Sequence, residues 1–272
     1  MASYNEISVS TLHRLIGTPD CPVLVDVRIN EDFDRDPHLI PGAWRHPFDQ
    51  IVDLADSLRG RKTVLYCQKG LKISQGAAAL LRNKGVPAEI LEGGQFAWRD
   101  AKLPMVCAEK LPSRNAEGAT LWVTRHRPKV DRIACPWLIR RFIDPKAEFL
   151  FVAPSQVTNV ADRFDAAPFD IEGVFWSHRG ETCTFDTLIT EFEIGHPALD
   201  HLALIVRAAD TDRHDLAPEA AGLLAASLGL SRTYRDDLEQ LEAGMTLYDA
   251  FYRWARDATG EGHDWPPSQR RG

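Results

Sequence analysis

No run of 18 consecutive apolar residues occurs in this 272-residue chain, so the sequence predicts no membrane-spanning helix. The five cysteines are an odd number and include no Cys-x-x-Cys pair, which argues against a disulfide framework and a closed cysteine zinc site. A net charge of −7 leaves no excess of basic residues for nucleic acid. The first residues lack the basic and apolar regions of a signal peptide. We therefore expect a cytoplasmic protein with neither a nucleic-acid nor a membrane partner.

The residue patterns divide the chain into two parts of different character. In the first part, short apolar runs alternate with helical patterns, which predicts an α/β fold with a parallel sheet and helices on both faces. In the second part helical spacing dominates, which predicts a mostly α-helical domain with a small β portion. Between them the periodicity is lost, as in a connecting segment. We predict a first domain over residues 1–106, a linker over 107–119, a second domain over 120–258 and a mobile tail over 259–272.

Individual elements follow from the same patterns. In the first part we predict strands near 23–27, 63–66 and 88–91, and helices near 10–16, 49–58 and 73–84. In the second part we predict strands at 120–124, 149–152 and 173–176, and mostly helix from Phe185 onward. We also predict a helix over 133–143, with Pro136 in its first turn, where a missing N–H is tolerated.

Cys67 follows a predicted buried strand and precedes a predicted helix. Ligands in parallel-sheet folds collect at the carboxyl ends of strands, and a loop that enters a helix offers backbone N–H groups that favour a thiolate. Lys69 and Lys72 add positive charge there, and Gly70 permits the backbone angles of a curled loop. A free cysteine is more often a small buried residue than a nucleophile. The combination nevertheless favours a sulfur nucleophile that meets an anionic substrate.

An ordered series of motifs surrounds this cysteine. In chain order they are Val23–Arg28, His38–Ala43, Cys67–Lys72, Ala88–Leu91, Glu92–Gly94 and Trp98. The series resembles a rhodanese (sulfurtransferase) domain over roughly residues 4–104. The resemblance implies that Cys67 carries sulfane sulfur as a persulfide, with no cofactor required. It also implies that the following loop holds the persulfide, and the residues of that loop are Gln68, Lys69, Gly70, Leu71 and Lys72.

The resemblance also implies a reaction, in which sulfane sulfur passes from a small-molecule donor such as thiosulfate to a thiophilic acceptor. Lys69 falls where thiosulfate-using members often carry lysine, whereas Lys72 stands where many members carry arginine or a hydroxyl residue. Asp26 and Arg28 match the Asp-x-Arg element of the family. We interpret that element as structural, because charged groups at a strand end usually fix loops through paired hydrogen bonds.

The second domain carries its own set of motifs. They are Trp122–Arg125, Pro128–Asp144, Ser177–Gly180, Cys183–Asp186 and Ile205–Thr211. Together they resemble the C-terminal domain of the chromate-resistance protein B family, over roughly residues 120–257. The resemblance implies a link to chromate or oxidative-stress response. Members that regulate transcription carry a different N-terminal region, so DNA binding is not implied here.

Side chains that bind metals are frequent in these motifs. We predict an iron, manganese or zinc site formed by Asp131, His178 and Asp210, one residue from each of three motifs. Asp131 and Cys135 lie four residues apart and would share one face of a helix, but Cys135 lies in an apolar segment and is the weaker candidate. The alternative is that these histidines and carboxylates are scattered surface groups.

Basic residues concentrate at the start of the same domain. Arg125, Arg127, Lys129 and Arg132 could bind an oxyanion such as chromate or sulfate. Alternatively, they could form a solvated helix face with carboxylate partners.

Three functions therefore remain open. The first is a sulfurtransferase that acts through Cys67. The second is a redox or chromate sensor, or a resistance accessory protein, which binds its ligand without turnover. The third is a metal-dependent redox enzyme in which the C-terminal domain carries the main activity.

Overall fold

The first half of the chain forms a parallel sheet. The computed structural model describes residues 5–262, so most of the predicted tail lies outside the described residues. The strands of this sheet are β1 (Glu6–Ile7), β2 (Val23–Asp26), β4 (Ala43–Arg45), β5 (Thr63–Tyr66) and β6 (Ala88–Leu91). Their spatial order is β1-β6-β5-β2-β4, and every neighbouring pair is parallel. The short strands β3 (His38–Leu39) and β7 (Val106–Cys107) pair with each other antiparallel.

Helices follow these strands. They are α1 (Val9–Leu15), α2 (Asn30–Asp34), α3 (Ala55–Leu58), α4 (Lys72–Asn83) and α5 (Gly94–Asp100), with a 3₁₀ segment over Phe48–Leu54 before α3. The predicted fold class of this half is confirmed, and the strands predicted at 63–66 and 88–91 have the predicted bounds. The linker predicted over 107–119 begins inside β7 and includes a 3₁₀ turn at Ala108–Lys110.

The two faces of the sheet enter different cores, because alternate residues of a strand point to opposite faces. Val25 and Leu65 pack on one face with residues of α4, including Ala77. Leu24 and Tyr66 lie on the other face and belong to a core that continues into the second half of the chain. One side of the sheet is therefore covered by α4, and the other faces a core that α1 and α5 share with the second domain.

The second half is mostly helical around a small parallel sheet. Its strands are β8 (Leu121–Arg125), β9 (Glu148–Val152) and β10 (Ala167–Pro168), in the order β10-β8-β9. Its helices are α6 (Asp131–Leu138), α7 (Val157–Phe164), α8 (Thr184–Phe192), α9 (Pro197–Asp210), α10 (Ala220–Thr233) and α11 (Asp237–Asp257). The predicted α-rich character of this half is confirmed. None of the helices over residues 5–262 is long and apolar enough to cross a membrane.

Two local predictions for this half are wrong. Residues 173–176 form no strand: Trp176 makes one isolated bridge to Phe169, and the left-handed backbone of Gly173, with φ of +79°, turns the chain just before it. Pro136 is the sixth residue of α6 rather than in its first turn, since the helix already begins at Asp131. Proline has no N–H to donate back to the preceding turn, and the helix widens into a π-helical turn over Ile139–Ile143.

The two halves pack closely against each other. The Gly42 N–H donates a hydrogen bond of 2.6 Å to the carbonyl oxygen of Phe142. A β-carbon at Gly17 would overlap the Phe142 ring and come within 2.8 Å of the Tyr252 ring. These contacts join the turn after α1 and the segment before β4 to the helical half.

Candidate functional site

Cys67 lies at the carboxyl end of β5, the central strand of the first sheet, and immediately before the loop that enters α4. The residue is only 5% exposed, and its Sγ atom lies 3.3 Å from the Oγ atom of Ser74 in the first turn of α4. Burial alone would raise the pKa of the Cys67 thiol. The Ser74 hydroxyl and the backbone N–H groups of Ser74, Leu71 and Lys69 outweigh burial and lower this pKa below its ordinary value. The loop therefore favours the nucleophilic thiolate.

Two glycines give this loop its shape. Gly70, with φ of +67°, packs so closely that a β-carbon would lie 2.6 Å from the Leu91 carbonyl oxygen and 2.7 Å from the Gly94 nitrogen. Gly94, with φ of +61°, packs from the opposite side, where a β-carbon would overlap the Cys67 carbonyl oxygen and the Gly70 nitrogen. Only glycine allows this backbone-to-backbone contact. The same Cys67 carbonyl accepts a 3.0 Å hydrogen bond from the Gln95 N–H, so α5 anchors the loop.

The remaining loop residues line the outside of the thiol site. Gln68 is half-buried, whereas Lys69, Leu71 and Lys72 are exposed. The structure thus brings all the predicted persulfide-loop residues around Cys67, with two cationic side chains free to meet an anion in solution.

Asp26 and Arg28 form a fully buried ion pair at the carboxyl end of β2. The Arg28 Nε atom donates to Asp26 Oδ2 at 2.8 Å, and the other guanidinium nitrogens donate to the carbonyl oxygens of Asp36 and His38 at 3.0 and 2.8 Å. The pair therefore fixes the segment that leads into β3, which is the structural role that the sequence indicated.

A second cluster lies in the helical half. The His178 Nε2 atom lies 3.3 Å from Asp210 Oδ2 and 3.6 Å from Asp131 Oδ2, so the fold brings together the three residues predicted as metal ligands. Asp170 joins them, with its Oδ1 atom 3.3 Å from the same imidazole nitrogen. The ligand atoms of Asp131, Asp170 and His178 all lie within 4.8 Å of one another, and Asp210 borders them through its contact with His178. Carboxylates and one imidazole form a donor set that suits a divalent cation.

Asp131 also has a structural task in this cluster. Its carboxylate accepts hydrogen bonds of 2.7 and 3.1 Å from the N–H groups of Thr184 and Phe185, at the N-terminus of α8. Complete burial and the neighbouring Asp170 and Asp210 carboxylates raise the pKa of Asp131. The charged form of Asp131 is therefore unfavourable in this site unless a cation compensates for it.

His178 is the most exposed of the four residues in the cluster, with 39% of its side chain accessible. Hydrogen bonds to Asp170 and Asp210 raise the pKa of His178 to about 10. Without a metal, its imidazolium is therefore part of an ion cluster. A cavity of about 570 Å³ opens beside it, lined by Arg125, Asp170 and His178 among others.

The four basic residues predicted to hold an anion are not brought together. Arg132 and Arg125 both approach Asp170 Oδ2, at 3.2 and 3.6 Å, and so border the acidic cluster. Arg127 instead donates 2.6 Å to the carbonyl oxygen of Ser231, and Lys129 is exposed. Only the first two residues could contribute to an anion site beside His178.

Sequence reasoning missed two members of these sites. Asp170 follows β10, which is two residues long and contains a proline, so no strand pattern marked its position. Ser74 is one of several small residues in α4, and nothing in its spacing from Cys67 distinguished it. The parallel pairing of β10 with β8 is the feature that would have placed Asp170 at the same sheet edge as Arg125.

Comparison with known proteins identifies both halves. The model of the rhodanese-like domain matches residues 8–101, and the model of the ChrB C-terminal domain matches residues 122–255. Protein ChrB of Cupriavidus metallidurans is 31% identical over 192 residues, which cover 65% of this chain and 57% of that protein. The chain thus aligns with little more than half the length of this relative.

Two further relatives match the first half. A sulfurtransferase of Allochromatium vinosum is 28% identical over 106 residues, which cover 39% of this chain and 97% of that protein. A rhodanese-like domain protein of Staphylococcus aureus, of known structure, is 29% identical, with a TM-score of 0.31 over 35% of this chain and 90% of that one. The two family models assign residues 8–101 of this chain to a rhodanese-like domain and residues 122–255 to a ChrB C-terminal domain.

Proposed function

We propose that this protein is a rhodanese-type sulfurtransferase that carries sulfane sulfur as a persulfide on Cys67. The observation that carries the proposal is the position of the Cys67 Sγ atom, at the end of a central strand and among donors that lower its pKa. The match of residues 8–101 to the rhodanese-like domain supports it.

The chemistry needs two balanced steps. In the first, the Cys67 thiolate attacks the outer sulfur of thiosulfate, so that the Cys67 S–S bond forms, the S–S bond of thiosulfate breaks and sulfite leaves with its electron pair. In the second, an acceptor such as cyanide or a thiolate attacks the terminal sulfur, and the Cys67 thiolate leaves. Backbone N–H groups of the loop stabilise the persulfide anion between the steps, and no cofactor takes part.

Charge at the loop favours an anionic donor. Lys69 and Lys72 are exposed at the rim of the thiol site, where they raise the local concentration of a dianion such as thiosulfate. The experiment that tests the proposal is transfer of sulfur from thiosulfate to cyanide, measured for the wild-type protein and for Cys67→Ser.

The Ser74 hydroxyl should tune this nucleophile. Ser74→Ala removes a donor that lowers the pKa of Cys67, so the pKa rises and the thiolate fraction at neutral pH falls. We expect the pH profile of alkylation by iodoacetamide to move to higher pH, while the limiting rate at high pH stays within about twofold. Ser57→Ala, on the exposed surface of α3, is the matched control and should leave the profile in place. An unchanged profile in Ser74→Ala would show that the hydroxyl does not stabilise the thiolate.

We further propose that the ChrB C-terminal domain binds a divalent metal, iron, manganese or zinc, through Asp131, Asp170, His178 and Asp210. The convergence of three carboxylates, from three separate segments, on the His178 Nε2 atom is the observation that favours it. A bound cation would polarise an oxygen-containing ligand, and Arg125 and Arg132 stand close enough to hold an oxyanion such as chromate. This centre would couple sulfur transfer to chromate or oxidative-stress response. In the alternative function, the protein would be a redox or chromate sensor or a resistance accessory protein, or a metal-dependent redox enzyme in which the C-terminal domain carries the main activity.

Manganese is the sharpest probe of this centre, because oxygen-rich sites suit it and thiolates do not. Binding of Mn²⁺ can be measured by electron paramagnetic resonance. We expect the wild-type chain to bind about one equivalent of Mn²⁺, and His178→Ala to bind less than about one-tenth of that amount. His214→Ala removes a histidine outside the cluster and should bind Mn²⁺ like the wild type. Equal binding by His178→Ala and the wild type would refute the assignment, as would no binding by either.

A further inference from the structure

A third group of potential ligands lies on the boundary between the two domains. The ligand atoms of His38, Cys107 and Glu193 all lie within 4.8 Å of one another. We infer that these three residues form a zinc site that joins the rhodanese-like domain to the ChrB C-terminal domain.

The ligands come from three parts of the chain that the fold brings together. His38 in β3 stands directly opposite Cys107 in β7, and side chains opposite each other in an antiparallel pair lie on the same face. Glu193 follows α8 of the second domain, and its carboxylate Oε2 atom lies 3.5 Å from His38 Nε2. A cation here would therefore be held by the first domain, the connecting segment and the second domain.

The histidine is already oriented for binding. Its Nδ1 atom lies 2.8 Å from Asp36 Oδ1, which leaves Nε2 directed towards Glu193. A carboxylate on the far nitrogen of a metal-binding histidine is the usual arrangement around zinc, because it fixes the ring and raises its basicity. Asp36 is itself held in place, since its Oδ2 atom accepts a 2.9 Å hydrogen bond from Gln95 Nε2.

The distances suit zinc. Tetrahedral zinc with bonds of about 2.0–2.3 Å places neighbouring ligand atoms roughly 3.3–3.6 Å apart. The His38–Glu193 separation of 3.5 Å already has this value, and the cysteine sulfur lies within 4.8 Å of both other ligand atoms. A thiolate, an imidazole and a carboxylate together favour zinc over the harder ions that suit the acidic cluster at His178.

The fourth coordination position is open. A cavity of about 530 Å³ adjoins the site and is lined by His38 and Glu193 together with Arg99 and Lys102. Water or a small anionic ligand could occupy this position. Cys107 itself is only 8% exposed, so the sulfur is shielded while the ion can be reached from the cavity.

Cobalt(II) tests this inference, because it replaces zinc and gives a thiolate-to-metal charge-transfer band in the near ultraviolet only when a cysteine binds it. We expect the full-length protein to show this band at about one equivalent of Co²⁺ and to lose it in Cys107→Ser. Excess Zn²⁺ should abolish the band, and Zn²⁺ should raise the melting temperature of the wild type by more than that of Cys107→Ser, in which only the acidic cluster at His178 can still bind it. Glu193→Gln, at a side chain that is 61% exposed, should fold normally and weaken Zn²⁺ binding at least about tenfold.

Two control variants separate this site from the other two. Cys67→Ser removes the reactive thiol and His178→Ala removes a residue of the acidic cluster, and both should retain the band. Persistence of the band in Cys107→Ser, its loss in either control, or the absence of any band in the wild type would overturn the zinc site. None of these results depends on sulfur transfer.

Discussion

Cys67→Ser is expected to lower the turnover of thiosulfate:cyanide sulfur transfer by about 10³-fold or more. A serine hydroxyl is almost entirely protonated at neutral pH, and its oxygen cannot form the disulfide-like bond that stores sulfane sulfur. The site is built for the thiolate, since the Ser74 hydroxyl and three backbone N–H groups lower the pKa of Cys67 against the effect of burial. Serine has nearly the same shape as cysteine, so the folded state should survive the change.

Cys21→Ser is the matched control for this loss. Burial raises the pKa of Cys21 to about 12, so this cysteine is a thiol at neutral pH and a poor nucleophile. Turnover should be unchanged, and after incubation with thiosulfate both the wild type and Cys21→Ser should gain the mass of one sulfur atom, whereas Cys67→Ser should not. Turnover by Cys67→Ser within tenfold of the wild type would move the chemistry away from this loop.

The Cys67 loop was predictable because its parts are contiguous. A buried strand, a cysteine, a glycine and a helix follow one another within about twenty residues. What the sequence could not indicate is the support from elsewhere. Gly94 lies beyond β6, at the start of α5, and its role depends on a backbone contact that only the folded chain creates.

The cluster in the ChrB C-terminal domain differs from the Cys67 loop, because its residues come from distant parts of the chain. Asp131, His178 and Asp210 each lie in a separate motif, and the fold brings both carboxylates within 3.6 Å of the His178 Nε2 atom. The sequence does not predict that Asp170 belongs to this cluster, because the two-residue strand before it is too short to show a periodic pattern. Long-range pairing, rather than local propensity, decides which residues of such a site meet.

Partners that are distant in the sequence also explain why the four predicted anion-binding residues do not lie together in the structure. Arg127 and Arg125 are close in the sequence, but the Arg127 guanidinium donates to the Ser231 carbonyl and the Arg127 N–H donates to the Asp237 carboxylate. These partners lie about one hundred positions away, at the end of α10 and the start of α11. The density of basic residues along the sequence therefore predicted one anion-binding patch. The packing of the helices instead determines which of these basic side chains lie beside the acidic cluster.

Gly94→Ala is expected to cause the second large loss, because this glycine supports the Cys67 loop from behind. A β-carbon here would overlap the Cys67 carbonyl oxygen and the Gly70 nitrogen, and φ of +61° is itself unfavourable for alanine. Left-handed backbone costs about 1–2 kcal/mol and overpacking about 1–3 kcal/mol, so we expect about 3 kcal/mol lower stability towards urea. The N–H groups of Leu71 and Lys69 would also shift away from the sulfur, so sulfur transfer should fall together with stability.

Gly76→Ala separates this effect from a general intolerance of larger residues. Gly76 lies within α4, and a β-carbon there would meet nothing beyond its own stretch of helix within 4 Å, so alanine should stabilise the helix by about 0.5–1 kcal/mol. Sulfur transfer by this variant should match the wild type, whereas Gly94→Ala should lose activity even at temperatures where circular dichroism shows it folded. If Gly94→Ala were as stable and as active as Gly76→Ala, the backbone contact between Gly70 and Gly94 could not be what holds the persulfide loop, and the donors around Cys67 would have to be fixed by α4 alone.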